Sequence, residues 1–278
     1  MPEFPVQCPI CSGPAAPYCE KTAHGRTWKI FKCRSCGHGF VENRPTLDEL
    51  THLYRDDPTH DPRTPIVSYE DRTECRPIIH GILSRSPERG DSLDIGSGDG
   101  CFSFQLSQLG YCPFLIDLDP RAEQAAGHVP GAIFARTRFE DFHADRPLSA
   151  IVMSQILEHA LDPLQWLSRA AAMLSSQGIL AIALPNFAGP YRVLGRRDPF
   201  IIPPIHLNYF TPASLKIALR KSGLNGLGMK SWSRVNTGYP TRKMPVSRKV
   251  FGHVWNAGAS ILNSTPFGII LVAYAKRA

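Results

Sequence analysis

Leu93-Asp94-Ile95-Gly96-Ser97-Gly98-Asp99-Gly100 is the stretch that decides how this chain is read. It reads as a buried strand that ends in a glycine turn and passes straight into a helix. Glycines at alternate positions let the backbone approach a bound ligand closely. The helix that follows turns its free N–H groups back toward that ligand. The spacing is GxGxG. A dinucleotide fingerprint would carry its third glycine at position 101, where this chain has Cys101. The turn therefore points away from a pyrophosphate ligand and toward S-adenosylmethionine (SAM), which has none.

Strands and helices alternate beyond the turn. Strands are expected at residues 92–95, 113–117, 132–136, 150–154 and 178–184, the last ended by Pro185. Helices are expected at 100–109, 121–127 and 163–176, the last with Leu164, Leu167, Ala171 and Leu174 on one face. Thr211-Pro212 starts a further helix that runs to Gly223, with Thr as cap and Pro at the first position. Two closing strands are expected near 227–235 and 269–275. Such alternation gives an α/β fold, a Rossmann-like parallel sheet with helices on both faces. Ligands then sit at the carboxyl ends of the strands.

Polar residues fall where a SAM pocket needs them. Asp94 leads the turn formed by Gly96, Ser97, Gly98 and Gly100, and can accept a hydrogen bond near the methionine amino group. Asp117, beside Leu118, ends the second strand, where a carboxylate binds both ribose hydroxyls; Asp119 is the alternative. Glu140-Asp141-Phe142 follows the third strand, where an acid reads the adenine amino group and an aromatic covers the ring. Ser154-Gln155 ends the fourth strand, beside the reactive sulfonium.

Cys8-Pro-Ile-Cys11 and Cys33-Arg-Ser-Cys36 are two CxxC pairs with 21 residues between them. Four thiolates at this spacing close a tetrahedral zinc site, here on a small ribbon. The ribbon is structural, a lid or a docking surface; the spacing does not choose. Cys19, Cys75, Cys101 and Cys112 have no such pattern and read as small buried hydrophobes.

The glycine stretch resembles motif I of class I SAM-dependent methyltransferases. Ile156-Leu-Glu-His-Ala-Leu-Asp-Pro163 resembles the LEH-x-x-DP segment of the UbiG-like and Methyltransf_23-type enzymes. Leu174-Ser-Ser-Gln-Gly178, Pro185-Asn186 and the segment from His206 to Leu215 are similar to their later segments. The resemblance covers about residues 92–223 and implies the seven-stranded class I sheet. A ribbon placed before it is similar in layout to zinc-binding sugar C-methyltransferases, which carry an extra C-terminal domain. On this reading His159, just past the fourth strand, serves as a base oriented by Glu158, while His206 and Tyr209 form a substrate wall. An NPPY-type segment, which marks amino methylation, does not follow the fourth strand, and this favours an oxygen or carbon acceptor.

The expected organisation is a zinc ribbon at 1–42, a helical linker or lid at 43–90 and the SAM-binding domain at 91–278, with an insertion about 239–263. A hydrophobic fraction of 43% supports a real core. No apolar run approaches the roughly 20 residues of a membrane span. The N-terminal residues lack a basic start and an apolar signal core, so a cytoplasmic protein is expected. From Asn186 onward the chain carries fourteen Lys plus Arg and one acid, Asp198, which leaves about +13 on that part and −6 on the rest. Such asymmetry faces an anionic partner, and the expected one is a small-molecule acceptor bearing a phosphate or nucleotide. A nucleic-acid partner is disfavoured, because no aromatic-rich RNA platform is present. The insertion, basic and then apolar, leaves peripheral contact with an acidic membrane open. The sequence gives no oligomeric state.

Overall fold

The computed structural model describes residues 6–56, 75–86, 88–233, 263 and 265–278. Apart from Asn263, the expected insertion lies outside the described residues. The chain opens with β1 (Ala15–Ala23), β2 (Arg26–Cys33) and β3 (Gly39–Val41), then α1 (Leu47–Asp56) and α2 (Cys75–Leu83). The alternating part follows: β4 (Asp91–Ile95), α3 (Cys101–Ser107), β5 (Cys112–Ile116), α4 (Pro120–Ala126), β6 (Ile133–Ala135), β7 (Leu148–Ser154), α5 (Pro163–Met173) and β8 (Leu174–Pro185). The last elements are β9 (Asn208–Tyr209), α6 (Pro212–Lys221), β10 (Leu224–Trp232) and β11 (Ile270–Arg277).

Local chemistry sets the helix starts. Each of α4, α5 and α6 begins at a proline, whose missing N–H costs nothing there. Asp119, Asp162 and Thr211 precede these prolines and accept hydrogen bonds from first-turn N–H groups. Thr46 and Glu49 close a reciprocal capping box at α1, with Glu49 N donating to Thr46 Oγ1 at 3.2 Å and Thr46 N to Glu49 Oε2 at 2.7 Å.

Seven strands form one sheet in the order β10-β11-β8-β7-β4-β5-β6, and β4 to β8 run parallel. Alternate residues of each strand feed opposite faces. On one face Leu93, Ile95, Ile151, Met153, Leu180 and Ile182 pack with Trp166 and Leu167 of α5 and Leu215 and Leu219 of α6. On the other, Ala150, Val152, Ala181 and Tyr274 pack with Ile78, Ile79 and Ile82 of α2 and Phe102 and Leu106 of α3.

Three expectations are corrected. The helix expected to reach residue 176 stops at Met173, because Leu174 is already extended (ψ 140°) and begins β8. Cys75 and Cys101, read as isolated hydrophobes, form a disulfide that ties α2 to the start of α3. Cys112 is exposed and Cys19 half-buried.

The second sheet, β1-β2-β3-β9, was not anticipated in full. Its edge strand comes from the segment after β8, pairing Gly39 with Tyr209 and Phe40 with Asn208. The ribbon residues Cys8, Ile10, Cys33, Cys36 and Phe40 share one continuous apolar core with Phe210 and α6. Among the described residues no helix is long and apolar enough to cross a membrane.

Candidate active site and metal centre

The strand order reverses direction between β4 and β7, and such a switch point opens a crevice at the carboxyl ends of the strands. Ile95 pairs with both Ile116 and Met153, so Gly96, Asp117 and Ser154 follow at one level across three adjacent strands. The glycine turn sits in this crevice. Gly96 has φ +65°, and a Cβ there would lie 2.7 Å from Ile156 Cδ1. Gly98 has φ +50°, and a Cβ there would meet nothing within 4 Å, so the turn faces open space at this point. Gly100, at φ +71°, is the residue from which α3 begins. Ser97 is buried, and its Oγ has no hydrogen-bond partner among the described residues. Gln155 takes φ +56°, costly for a residue with a side chain, and its N–H donates to Ala183 O at 2.7 Å.

The acids divide by what they touch. Asp117 accepts from Gly98 N and from Asp119 N, both at 2.8 Å, which fixes the carboxylate against the turn. Burial pushes its pKa up, and those two N–H groups pull it down. Leu118 beside it is 47% exposed, an apolar surface at the crevice edge. Asp119 caps α4 and pairs with Arg121, so it is committed to the helix. Asp94 is buried and accepts from Ser103 Oγ at 3.0 Å. Glu140 accepts from Trp166 Nε1 at 2.9 Å, and Asp141 pairs with Arg138 at 2.7 Å. Phe142 packs into the core, its ring 6.3 Å from that of Phe114.

Past β7, Glu158, His159 and His206 bring one ligand atom each within 4.8 Å of one another. Glu158 is 1% exposed and neither carboxylate oxygen has a hydrogen-bond partner among the described residues; burial raises its pKa to about 8. It therefore does not orient His159 through a hydrogen bond, as the sequence suggested. His159 Nδ1 lies 3.0 Å from Ile205 O and Nε2 lies 3.1 Å from Gln155 O. Each ring nitrogen has a backbone carbonyl oxygen beside it, and the neutral ring can donate to only one of them. These contacts place the His159 ring between the loop after β7 and the segment before β9. The His206 ring meets it edge-on at 4.9 Å. His206 Nδ1 lies 2.8 Å from Phe200 O, an acceptor, which leaves the lone pair on Nε2, and burial lowers its pKa to about 4. Tyr209 donates its hydroxyl to His206 O at 2.9 Å, and burial raises its pKa.

Some contacts at this site carried no sequence signal. Arg44 donates to Asn208 Oδ1 at 3.0 Å and to Leu161 O. Asn208 donates from Nδ2 to Ala160 O at 2.7 Å. Neither residue type nor spacing marks them, since each partner is far away in sequence.

The four ribbon cysteines converge. Cys8 Sγ lies 3.7 Å from Cys36 Sγ, and Cys11 Sγ 3.4 Å from Cys33 Sγ. A tetrahedral ion with Zn–S bonds of about 2.3 Å needs sulfurs about 3.8 Å apart, so the donor set fits one. Backbone N–H groups of Ile10, Gly13 and Ser35 donate to Cys8, Cys11 and Cys33 at 3.3 to 3.4 Å, as suits thiolate ligands. The hydrogen bond from Cys36 pulls Cys8 down to about 5, while Cys36 is pushed up.

A family model described as "Methyltransferase domain" matches residues 68–227. No curated protein matches the sequence. Among solved structures, the chain is similar to Burkholderia thailandensis 1,6-didemethyltoxoflavin-N1-methyltransferase with bound 1,6-didemethyltoxoflavin and S-adenosylhomocysteine. The TM-score is 0.57 at 14% identity, over 93% of this chain and 99% of that one. A SAM-dependent methyltransferase from Mesorhizobium loti gives 0.55 at 15% identity, over 76% of this chain and 100% of the other. A chain from the Haloferax volcanii complex of the Trm112 methyltransferase activator with a methyltransferase gives 0.54 at 20% identity, over 72% and 88%. At these identities the likeness is one of fold.

Proposed function

The chain belongs to the methyltransferase-domain family, and on that premise we propose that it moves the methyl group of SAM to an oxygen or carbon of a small-molecule acceptor. The observation that carries this reading is the level placement of Gly96, Asp117 and Ser154 at the switch point. There Gly98 has an open side, and the buried Ser97 hydroxyl has no hydrogen-bond partner among the described residues. In this reading Asp117, held by two N–H groups, accepts from the ribose hydroxyls, and Leu118 lies against the adenine. Ser154 and Gln155 flank the sulfonium.

Methyl transfer is an in-line displacement, so positioning does most of the work. We assign His206 to hold the acceptor through Nε2, with His159 and Glu158 fixing the loop that forms the same wall. The basic bias after Asn186 supports an acceptor that carries phosphate or another anion. The four cysteines are assigned to one structural zinc ion, which would hold the ribbon folded. The Burkholderia enzyme of the same fold has a small molecule and S-adenosylhomocysteine bound, which supports a small-molecule acceptor here. Incubation of zinc-loaded protein with methyl-labelled SAM and a panel of nucleotide sugars and other anionic metabolites tests the reading. Label transfer to one acceptor class supports it, and label retained in SAM with every acceptor overturns the small-molecule assignment.

A further inference from the structure

The ribbon and the wall of the crevice are joined by a chain of hydrogen bonds. β3 pairs with β9, and Val41 N donates to Leu207 O at 3.0 Å. Leu207 N then donates to Glu158 O at 2.9 Å, which reaches the loop after β7. Arg44, three residues past β3, crosses the same gap with its side chain. Its guanidinium donates to Val41 O, to Leu161 O and to Asn208 Oδ1. Asn208 is 1% exposed, and its amide donates to Ala160 O at 2.7 Å. One buried amide thus accepts from the ribbon side and donates to the loop side. A buried, fully used amide specifies one arrangement, because any shift leaves a donor or acceptor unpaired.

We propose that Arg44 and Asn208 are positioning residues through which the ribbon sets the acceptor wall, so that the ribbon acts on the crevice without touching the ligand. The proposal rests on the acceptor lying beside His159 and His206, as assigned above. Arg44 suits the task because its planar fork reaches several acceptors at once, which an ammonium group does not. The glycine turn and Asp117 make none of these contacts. The clamp therefore bears first on the acceptor side and reaches the SAM side only through the loop after β7, by the His159–Gln155 contact.

The test uses full-length, zinc-loaded protein with 15N-labelled histidine, in wild type, Asn208→Asp and Arg44→Lys. Asn208→Asp keeps the acceptor for Arg44 and removes the donor to Ala160. Long-range 1H–15N spectra report the ring nitrogens of His159 and His206. His128, bonded to Gln124 O on α4, serves as a distant reference. The expected result is that both variants shift or broaden the His159 and His206 signals and leave His128 unmoved. S-adenosylhomocysteine affinity should then stay within about threefold of wild type, under 1 kcal/mol. Unchanged His159 and His206 signals in both variants overturn the clamp. So do changes that extend to His128 and to cofactor affinity together, since those report general loosening. Addition of S-adenosylhomocysteine to wild type separates the two ideas: rings that do not respond remove the acceptor placement and leave the clamp to be judged on the variants.

Discussion

The hydroxyl of Thr211 donates to the carbonyl oxygen of Cys36 at 2.8 Å. Thr211 Oγ1 itself accepts from Ser214 N at 3.1 Å and caps α6. One side chain therefore ends the ribbon's second cysteine knuckle and begins α6. Thr211→Val keeps the shape and loses both bonds. It should cost about 1–2 kcal/mol, the range for a lost cap plus a buried hydrogen bond. Urea unfolding of zinc-loaded protein measures this, and Thr211→Ser should recover most of the loss. Unchanged stability in Thr211→Val would remove the link.

Cysteine replacement tests the metal assignment directly. Wild type should carry one zinc per chain by elemental analysis, and Cys33→Ser should lose it. Because Cys33 is buried in the core shared with α6, loss of the ion should also lower the melting temperature of the whole protein. Full zinc occupancy in the variant would refute the four-cysteine site.

Two glycines of the turn should fail in different ways. Gly96→Ala adds backbone strain and a Cβ 2.7 Å from Ile156 Cδ1. Together these should cost roughly 2–4 kcal/mol in unfolding experiments. Gly98→Ala meets no atom of the described residues within 4 Å, so its stability cost should be nearer the roughly 1–2 kcal/mol of the left-handed backbone alone. Its Cβ projects where the cofactor is placed, so S-adenosylhomocysteine affinity should fall instead. Equal stability losses, with affinity intact in Gly98→Ala, would contradict the geometry of the turn.

Glu158 predicts the sign of a pH effect. Its folded pKa is raised to about 8, so the folded state holds a proton that the unfolded chain releases near the usual carboxylate value. Stability from this group is present at low pH and is lost as pH rises toward 8. His206, lowered to about 4, works in the opposite direction, but it is common to wild type and Glu158→Gln and cancels in their difference. Between about pH 6.5 and 8 wild type should therefore lose stability that Glu158→Gln keeps, with a difference on the order of 1–2 kcal/mol. Thermal unfolding of both proteins across that window measures it. Parallel profiles would place Glu158 in a more polar setting than its burial implies.

The central sheet was legible because its signals are local. The glycine turn, the period-2 apolar strands and the proline-started helices each declare themselves within a few residues. Helix α5 was read too long because Leu174 continues the apolar stripe of Leu164, Leu167 and Ala171, and only the backbone shows the turn onto the sheet. β9 was illegible, since two residues carry no period and exist as a strand through pairing with β3. Cys75 and Cys101 looked solitary because α2 packing on α3, not spacing, brings them together. His159 was correctly placed past β7, but its two carbonyl partners are backbone atoms that no sequence pattern records.

Calorimetric titration of zinc-loaded wild type and Asp117→Ala with S-adenosylhomocysteine tests the central claim most directly. The account predicts micromolar binding at one site per chain in wild type, weakened by at least about tenfold, or 1.4 kcal/mol, in Asp117→Ala. No binding to folded, zinc-loaded wild type, or equal affinity in the variant, would contradict it.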